Sequence, residues 1–196
     1  MPVPPPMRLS ALLLVLSIAG CMPPPPSAAQ PRDAVPPPPV TVTPAGIAAR
    51  VHRAVNEARA ERGLARLTYD GALEALAHGH SADMAARGYF AHADPRGLRA
   101  GERARDAGYR YQHLGENLFM STLYSQTTAR VVDGRRDVFY RWYTPSELAE
   151  ETVRAWLESP GHRANLLSQR YTHEGIGVAF GENGTVLITQ NLSEPR

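Results

Sequence analysis

Residues 159–165 read Ser159-Pro-Gly-His162-Arg-Ala-Asn165, and residues 88–92 read Gly88-Tyr-Phe-Ala-His92. Each histidine sits in a short motif rich in turn-forming residues, and Gly115-Glu116-Asn117 lies between the two in the chain. Two imidazoles and a carboxylate from separate segments can build a metal or acid/base cleft only if the fold gathers them. The elements that flank these motifs therefore decide both the architecture and the site.

Upstream of Gly88 the spacing predicts two helices. Val51, Val55, Ala58 and Arg62 recur at helical intervals until Gly63 supplies a stop. Asp70 is a good N-cap for a second helix, in which Leu73, Leu76, Ala77, His80 and Met84 share a face and Gly88 ends the run. On that stripe His80 reads as a hydrogen-bonded core histidine rather than a ligand, and His78, off the stripe, reads as solvated. Residues 89–97, with Pro95 and Gly97, read as a loop that presents side chains, and a short helix follows from about Leu98 to Ala107.

Downstream, Gly115 allows close backbone approach beside Glu116. Asp133-Gly134 separates Val131-Val132 from Val138-Phe139-Tyr140, a strong hairpin signal. Thr144-Pro145 opens a third main helix whose buried side is Leu148, Val153, Trp156 and Leu157. Ser159-Pro160-Gly161 ends it, which would place His162 just past a helix terminus. Residues 175–180 and 185–192 then form two strands joined across Gly181-Glu-Asn-Gly184. The order of elements points to a mixed α+β layer structure rather than repeated βαβ units.

The N-terminal residues set the compartment. Met7-Arg8 followed by Leu9 to Ala19 is a signal-peptide core, too short at about 11 residues to span a bilayer. It runs into Ile18-Ala19-Gly20-Cys21, which resembles the lipobox of bacterial lipoproteins, in which the cysteine is lipidated after cleavage. An ordinary secretory signal with an incidental cysteine is the alternative. The absence of aspartate after Cys21 favours the outer membrane in a double-membrane cell. Residues 22–44 are dominated by proline and read as a disordered polyproline tether, able to reach up to about 70 Å, or else as a proline-rich ligand. The segmentation expected is thus 1–21 signal and lipobox, 22–44 linker and 45–196 one domain, which at about 150 residues buries roughly 70% of its surface. Cys21 is the only cysteine, so no internal disulfide supports the fold. The formal charge of +2 is spread along the chain, with arginines mixed among acids as in Glu102-Arg103-Ala104-Arg105-Asp106, and this argues against nucleic acid as a partner.

Several motifs stand in order along the domain: Asn56 with Arg59 and Gly63, His80-Ser81-Ala82-Asp83-Met84, Gly88 to His92, Gly108-Tyr109, Gly115-Glu116-Asn117, Ser159 to Leu167, Gly175-Ile176-Gly177-Val178 and Thr189-Gln190-Asn191. Together they resemble the bacterial branch of the CAP superfamily, named for cysteine-rich secretory proteins, antigen five and plant pathogenesis-related proteins of group one. The resemblance implies a three-layer α-β-α sandwich with a central antiparallel sheet. It also implies a cleft of two histidines and two glutamates that holds a divalent metal in several relatives. His92, Glu116 and His162 match three of these positions. The fourth does not carry over cleanly: from Trp156 the register reaches Ser159, and Glu158 is one residue short.

Zinc or another divalent cation can take two imidazoles and a carboxylate and keep a position for water, with Glu116 as a possible base. Spacing alone favours the alternative, a hydrogen-bonded polar cluster that fixes three loops, because no compact ligand pair such as HExxH is present. No Gly-x-Ser-x-Gly elbow occurs either, and Ser81 and Ser159 have structural explanations. The function expected is a lipid-anchored extracytoplasmic module, secreted across the inner membrane, that binds a lipid or cell-wall ligand. A metal-dependent hydrolase of peptide or wall polymer is the alternative, and an inert structural envelope protein is a third.

Overall fold

The computed structural model describes residues 35–196, the side chain of Arg135 excepted. The expected signal core, Cys21 and the first part of the proline-rich stretch lie outside the described residues. No helix of the described residues is long and apolar enough to cross a membrane.

Helix α1 (Pro44–Ala60) begins on the predicted preferences, with proline in the first turn and Thr43 Oγ1 accepting a hydrogen bond from Gly46 N at 3.0 Å. Val42, just before the cap, is buried. The folded part therefore starts ahead of Ala45, inside the segment read as linker. Ile47, Val51 and Val55 repeat every four residues and form the inner face. The apolar spacing extends that face to Arg62, but the helix ends at Ala60 and Gly63 turns the chain at φ +68°. The buried arginine is Arg59. Its guanidinium donates to three carbonyls, Ala65 at 2.9 Å, Leu166 at 2.7 Å and Ser168 at 2.9 Å, and so ties the end of α1 to the segment after the last helix.

Strand β1 (Thr68–Tyr69) leads into α2 (Gly71–Arg87), capped by Asp70 and closed by Gly88 in the left-handed region at φ +66°. Leu73, Ala77, His80, Ser81 and Met84 are its buried residues, while Leu76 is only half-buried. Helix α3 (Ala100–Asp106) is shorter than the sequence suggests. Then come β2 (Tyr111–Thr122), β3 (Tyr124–Val132) and β4 (Arg135–Trp142), α4 (Pro145–Glu158), α5 (Pro160–Leu166), β5 (His173–Phe180) and β6 (Thr185–Pro195). Pro160 stops α4 yet opens α5, so His162 lies inside a second short helix and not in a loop past a terminus.

The main sheet has the order β1-β5-β6-β2, antiparallel except for the two-residue parallel pairing of β1 with β5. Alternation along β5 assigns its two faces. Ile176 and Val178 join Ile47, Val51 and Val55 of α1 and Leu148, Val153 and Trp156 of α4 in the main core. Gly175 and Gly177 point the other way, where a Cβ on either would overlap the backbone of α2. Helices thus cover both faces, as a three-layer sandwich requires.

Strand β2 is an edge strand, and its outward carbonyls need partners. Trp156 Nε1 donates to Leu118 O at 3.0 Å and Asn165 Nδ2 to Glu116 O at 3.2 Å, so side chains of α4 and α5 close the edge. The Asp133-Gly134 turn adopts positive φ at both residues, 49° and 73°, as a two-residue type I′ hairpin demands. That β3–β4 hairpin forms its own two-stranded sheet.

Candidate functional site

The edge position of β2 is what brings the three residues together. Glu116 sits on β2, His92 comes from the loop after α2 on one side of the sheet, and His162 comes from α5 on the other. The His92 loop is built by Asp94, whose buried carboxylate accepts from Arg96 N at 2.9 Å and Leu98 N at 3.0 Å and pairs with the Arg96 side chain. His92 Nδ1 lies 2.9 Å from Glu116 Oε1, and the His92 and His162 rings are 6.5 Å apart. The cluster faces solvent on one side only: the His92 side chain is 45% exposed and that of Glu116 is 5% exposed.

A fourth member joins them that the sequence does not signal. Arg103 of α3 donates from Nη2 to Glu116 Oε2 at 2.5 Å and from Nη1 to the carbonyls of His92 at 2.9 Å and Leu98 at 2.7 Å. In the sequence it is one of several arginines in a mixed-charge run, and nothing in its spacing marks it. Only the tertiary structure separates it from its solvated neighbours. Glu158, the weak fourth candidate, does not join the cluster. It is 63% exposed, pairs with Arg154 at 2.7 Å, and lines a groove between α4 and α1.

These contacts decide what the donor set can hold. Glu116 spends one oxygen on His92 and the other on Arg103, and this leaves His92 Nε2 and the His162 ring as the open nitrogens. Among the described residues no group of three His, Cys, Asp or Glu side chains is arranged to hold a metal ion. A three-ligand centre would require Glu116 to exchange Arg103 for the cation, so the residues as placed do not fit a resident zinc. They fit a carboxylate that orients a histidine and is neutralised by an arginine.

His80 fulfils the core reading and also supports the site. Its Nε2 lies 2.9 Å from Ala91 O, directly before His92, and its Nδ1 is buried without a partner among the described residues. Burial depresses its pKa first, with Arg103 acting in the same direction against the nearby Glu116 carboxylate. Burial and the His92 charge depress His162 as well. A histidine depressed by folding contributes stability above its unfolded pKa of about 6.5 and loses it as the pH falls toward the folded value. Chemical denaturation at pH 7.5 and pH 5.5 should therefore give a larger drop for the parent domain than for His80→Phe. Equal drops would remove His80 from the account. Ser81, by contrast, is purely structural: its hydroxyl bonds Gly177 O at 3.0 Å and Thr189 Oγ1 at 2.8 Å.

Beyond Arg103 a cleft of about 540 Å³ opens between α2 and α3, lined by His80, Asp83, Arg87, Asp94, Arg96 and Arg103 among others. On the other side of the cluster, a chain of buried amides leads into the core. Asn165 Nδ2 donates to Asn117 Oδ1 at 3.0 Å, and Asn117 Nδ2 donates to Gln190 Oε1 at 2.8 Å and His162 O at 3.2 Å. Gln190 Nε2 donates to Glu174 Oε2 at 2.6 Å, and Glu174 Oε1 meets His52 Nδ1 at 2.6 Å.

An α-β-α sandwich whose edge strand carries a glutamate between two histidines defines a class, the CAP-type domain. The chain belongs to the cysteine-rich secretory protein (CAP) family, whose pattern matches residues 52–192. It is 30% identical over 167 residues to the protein YkwD of Bacillus subtilis (strain 168), covering 84% of this chain and 55% of that one. It is 32% identical over 123 residues to the membrane protein YlbC of the same organism, covering 63% of this chain and 29% of that one. The chain thus spans about half or less of the length of these relatives. Among solved structures it resembles an extracellular protein with an SCP domain from Bacillus anthracis, at 25% identity and a TM-score of 0.57, over 77% of this chain and 41% of that one. It shares its fold with an outer surface protein of Borrelia burgdorferi, at 15% identity and a TM-score of 0.56, over 74% and 90% of the two chains.

Proposed function

We propose that this chain is an extracytoplasmic CAP domain that works as a ligand-binding or envelope-interaction module, held at a membrane through Cys21. The observation that carries the reading is the array His92–Glu116–Arg103 beside His162. A buried carboxylate fixes one exposed imidazole 6.5 Å from a second, and the charged cleft beyond Arg103 continues the polar surface. Such a surface offers fixed donors and acceptors to a polar ligand of the envelope, with wall peptide the class that suits its mixed charges. The likeness to an extracellular protein of Bacillus anthracis supports the compartment. A divalent cation finds only two open imidazoles, so its binding is weak and secondary. The hydrolase reading needs Glu116 free to act as a base, and His92 and Arg103 hold both its oxygens.

Calorimetric titration of residues 33–196 with a soluble wall-peptide fragment tests this. Binding should fall at least about tenfold when His92→Ala and His162→Ala are combined, and it should not require zinc. Unchanged affinity in the double variant would place the ligand elsewhere. Turnover of the fragment, lost in Glu116→Gln, would restore the hydrolase. The anchor has a separate readout: Cys21→Ser should move the full-length protein from the membrane to the soluble fraction.

A further inference from the structure

The β3–β4 hairpin stands apart from the cleft, and only its base, through Trp142, packs on the core. Its strands pair only with each other, and nine- and eight-residue strands make an arm on the order of 25–30 Å long. The base is stiff. Tyr124 and Tyr140 meet edge to face at 5.0 Å, Tyr124 and Trp142 at 5.8 Å, and Leu123 beneath them is buried.

The outer half of the arm mixes exposed apolar and charged side chains around the exposed Asp133-Gly134 turn. Val131 is 68% exposed, Val132 47% and Phe139 56%, three of the large apolar side chains most exposed in the described chain. Val131 is registered against Arg136, and Val132 against Arg135. Beside the turn each face therefore carries one valine next to one arginine position. Arg130 and Arg136 are exposed and make no ion pair among the described residues. Residues 124–142 contain four arginines and two aspartates. That excess of two equals the formal charge of +2 of the whole chain, so the rest of the sequence is balanced.

We infer that this arm is a membrane-docking element, which seats its outer half at the surface of an anionic bilayer, with Val131 and Val132 beside the turn and Phe139 further up the arm opposite Thr128 entering the interface while Arg130 and Arg136 engage the lipid headgroups. Charge complementarity selects an anionic partner, and the exposed apolar side chains select one with a hydrocarbon interior behind the charge. A soluble polyanion would take the arginines and leave the valines and phenylalanine in water. The inference is independent of the cleft and of Cys21.

Residues 33–196, which contain the whole described core, can be co-sedimented with vesicles of equal parts phosphatidylglycerol and phosphatidylcholine, and with phosphatidylcholine alone. The domain should partition onto the anionic vesicles only. Arg130→Ala and Arg136→Ala should each weaken binding roughly fivefold, and Val131→Ser combined with Phe139→Ser by about tenfold or more. Phe139→Trp should bind as the parent does and shift its emission to the blue on anionic vesicles, a positive signal that no loss of folding can mimic. The His92 and His162 double variant should bind vesicles normally, which keeps this outcome separate from the cleft. Absence of binding, or equal binding to both vesicles, overturns the proposal. Sensitivity to the arginine variants alone overturns it in favour of a soluble polyanion. A concentration-dependent dimer abolished by the Val131 and Phe139 variants overturns it in favour of a second copy.

Discussion

Gly177→Ala should leave the domain barely folded, with a loss of at least about 3 kcal/mol and a melting temperature lower by roughly 10 °C or more. The reason is the direct seating of α2 on β5. A methyl group at 177 would overlap the backbone at Ala77 and His78, and one at 175 would overlap the backbone at Leu73 and Glu74. A flexible side chain can swing aside, whereas helix backbone can yield only if all of α2 lifts from the sheet. That movement would unseat Ser81 from Gly177 O and carry His80 away from the His92 loop. Gly79→Ala provides the control within the same helix. Nothing lies within 4 Å of its added Cβ, so the domain should gain about 0.5–1 kcal/mol. Thermal melts of the two variants give the contrast, and a Gly177→Ala domain that melts like its parent would refute the direct seating.

The second large effect is expected at Glu174, which is fully buried between His52 and Gln190. Burial pushes its carboxyl pKa up, and the hydrogen bonds from His52 and Gln190 pull against that rise. Glu174→Ala removes the acceptor and strands both donors, at a cost of about 3–5 kcal/mol. Glu174→Gln keeps the shape and one acceptor and should cost clearly less. Because Gln190 passes the contact to Asn117, which holds His162 O, the alanine variant should also shift the His162 imidazole resonances. Urea denaturation and NMR of the histidine rings read the two consequences. An alanine variant with parental stability would mean that the buried carboxylate is dispensable. The raised carboxyl adds a sign opposite to that of His80: its contribution is full below the unfolded glutamate pKa and is lost as the pH rises through the folded one.

The sequence made α1 to α4, the Asp133-Gly134 hairpin and the last two strands legible, because each is signalled locally by apolar spacing, caps and glycine, while α5 was hidden behind Pro160 and the three-layer order came from the family resemblance. The in-order motifs pointed to His92, Glu116 and His162, and the fold sets His92 against Glu116 with the His162 ring 6.5 Å from that of His92. What the sequence did not reveal depends on long-range geometry. Arg59 and Arg62 differ by three residues, and only the point where α1 ends decides which of them is buried. Arg103 looks like its neighbours until α3 is placed over β2. The arginines of the hairpin already lie close together in the sequence, but only the strand pairing shows that they sit on an arm outside the main sheet. Glu158 failed for a related reason: helical phase turns it toward Arg154 on α4 and away from the edge strand.

Leu123 is a small feature with a wide consequence. Its N–H bonds Gly184 O at 2.7 Å and its carbonyl accepts from Tyr143 N at 2.9 Å, so the chain leaves the sheet and returns to it at one pinned crossing. Trp142 packs on the core and Arg141 pairs with Glu147, but residues 126–139 pair only within the hairpin, so that outer part should tolerate shortening, lengthening or exchange without moving the end of β2 or the start of α4. The domain is thus a socket with one interchangeable arm. Under the proposed docking role, exchanging that cassette would redirect the domain to another surface while the scaffold and its cleft stay constant.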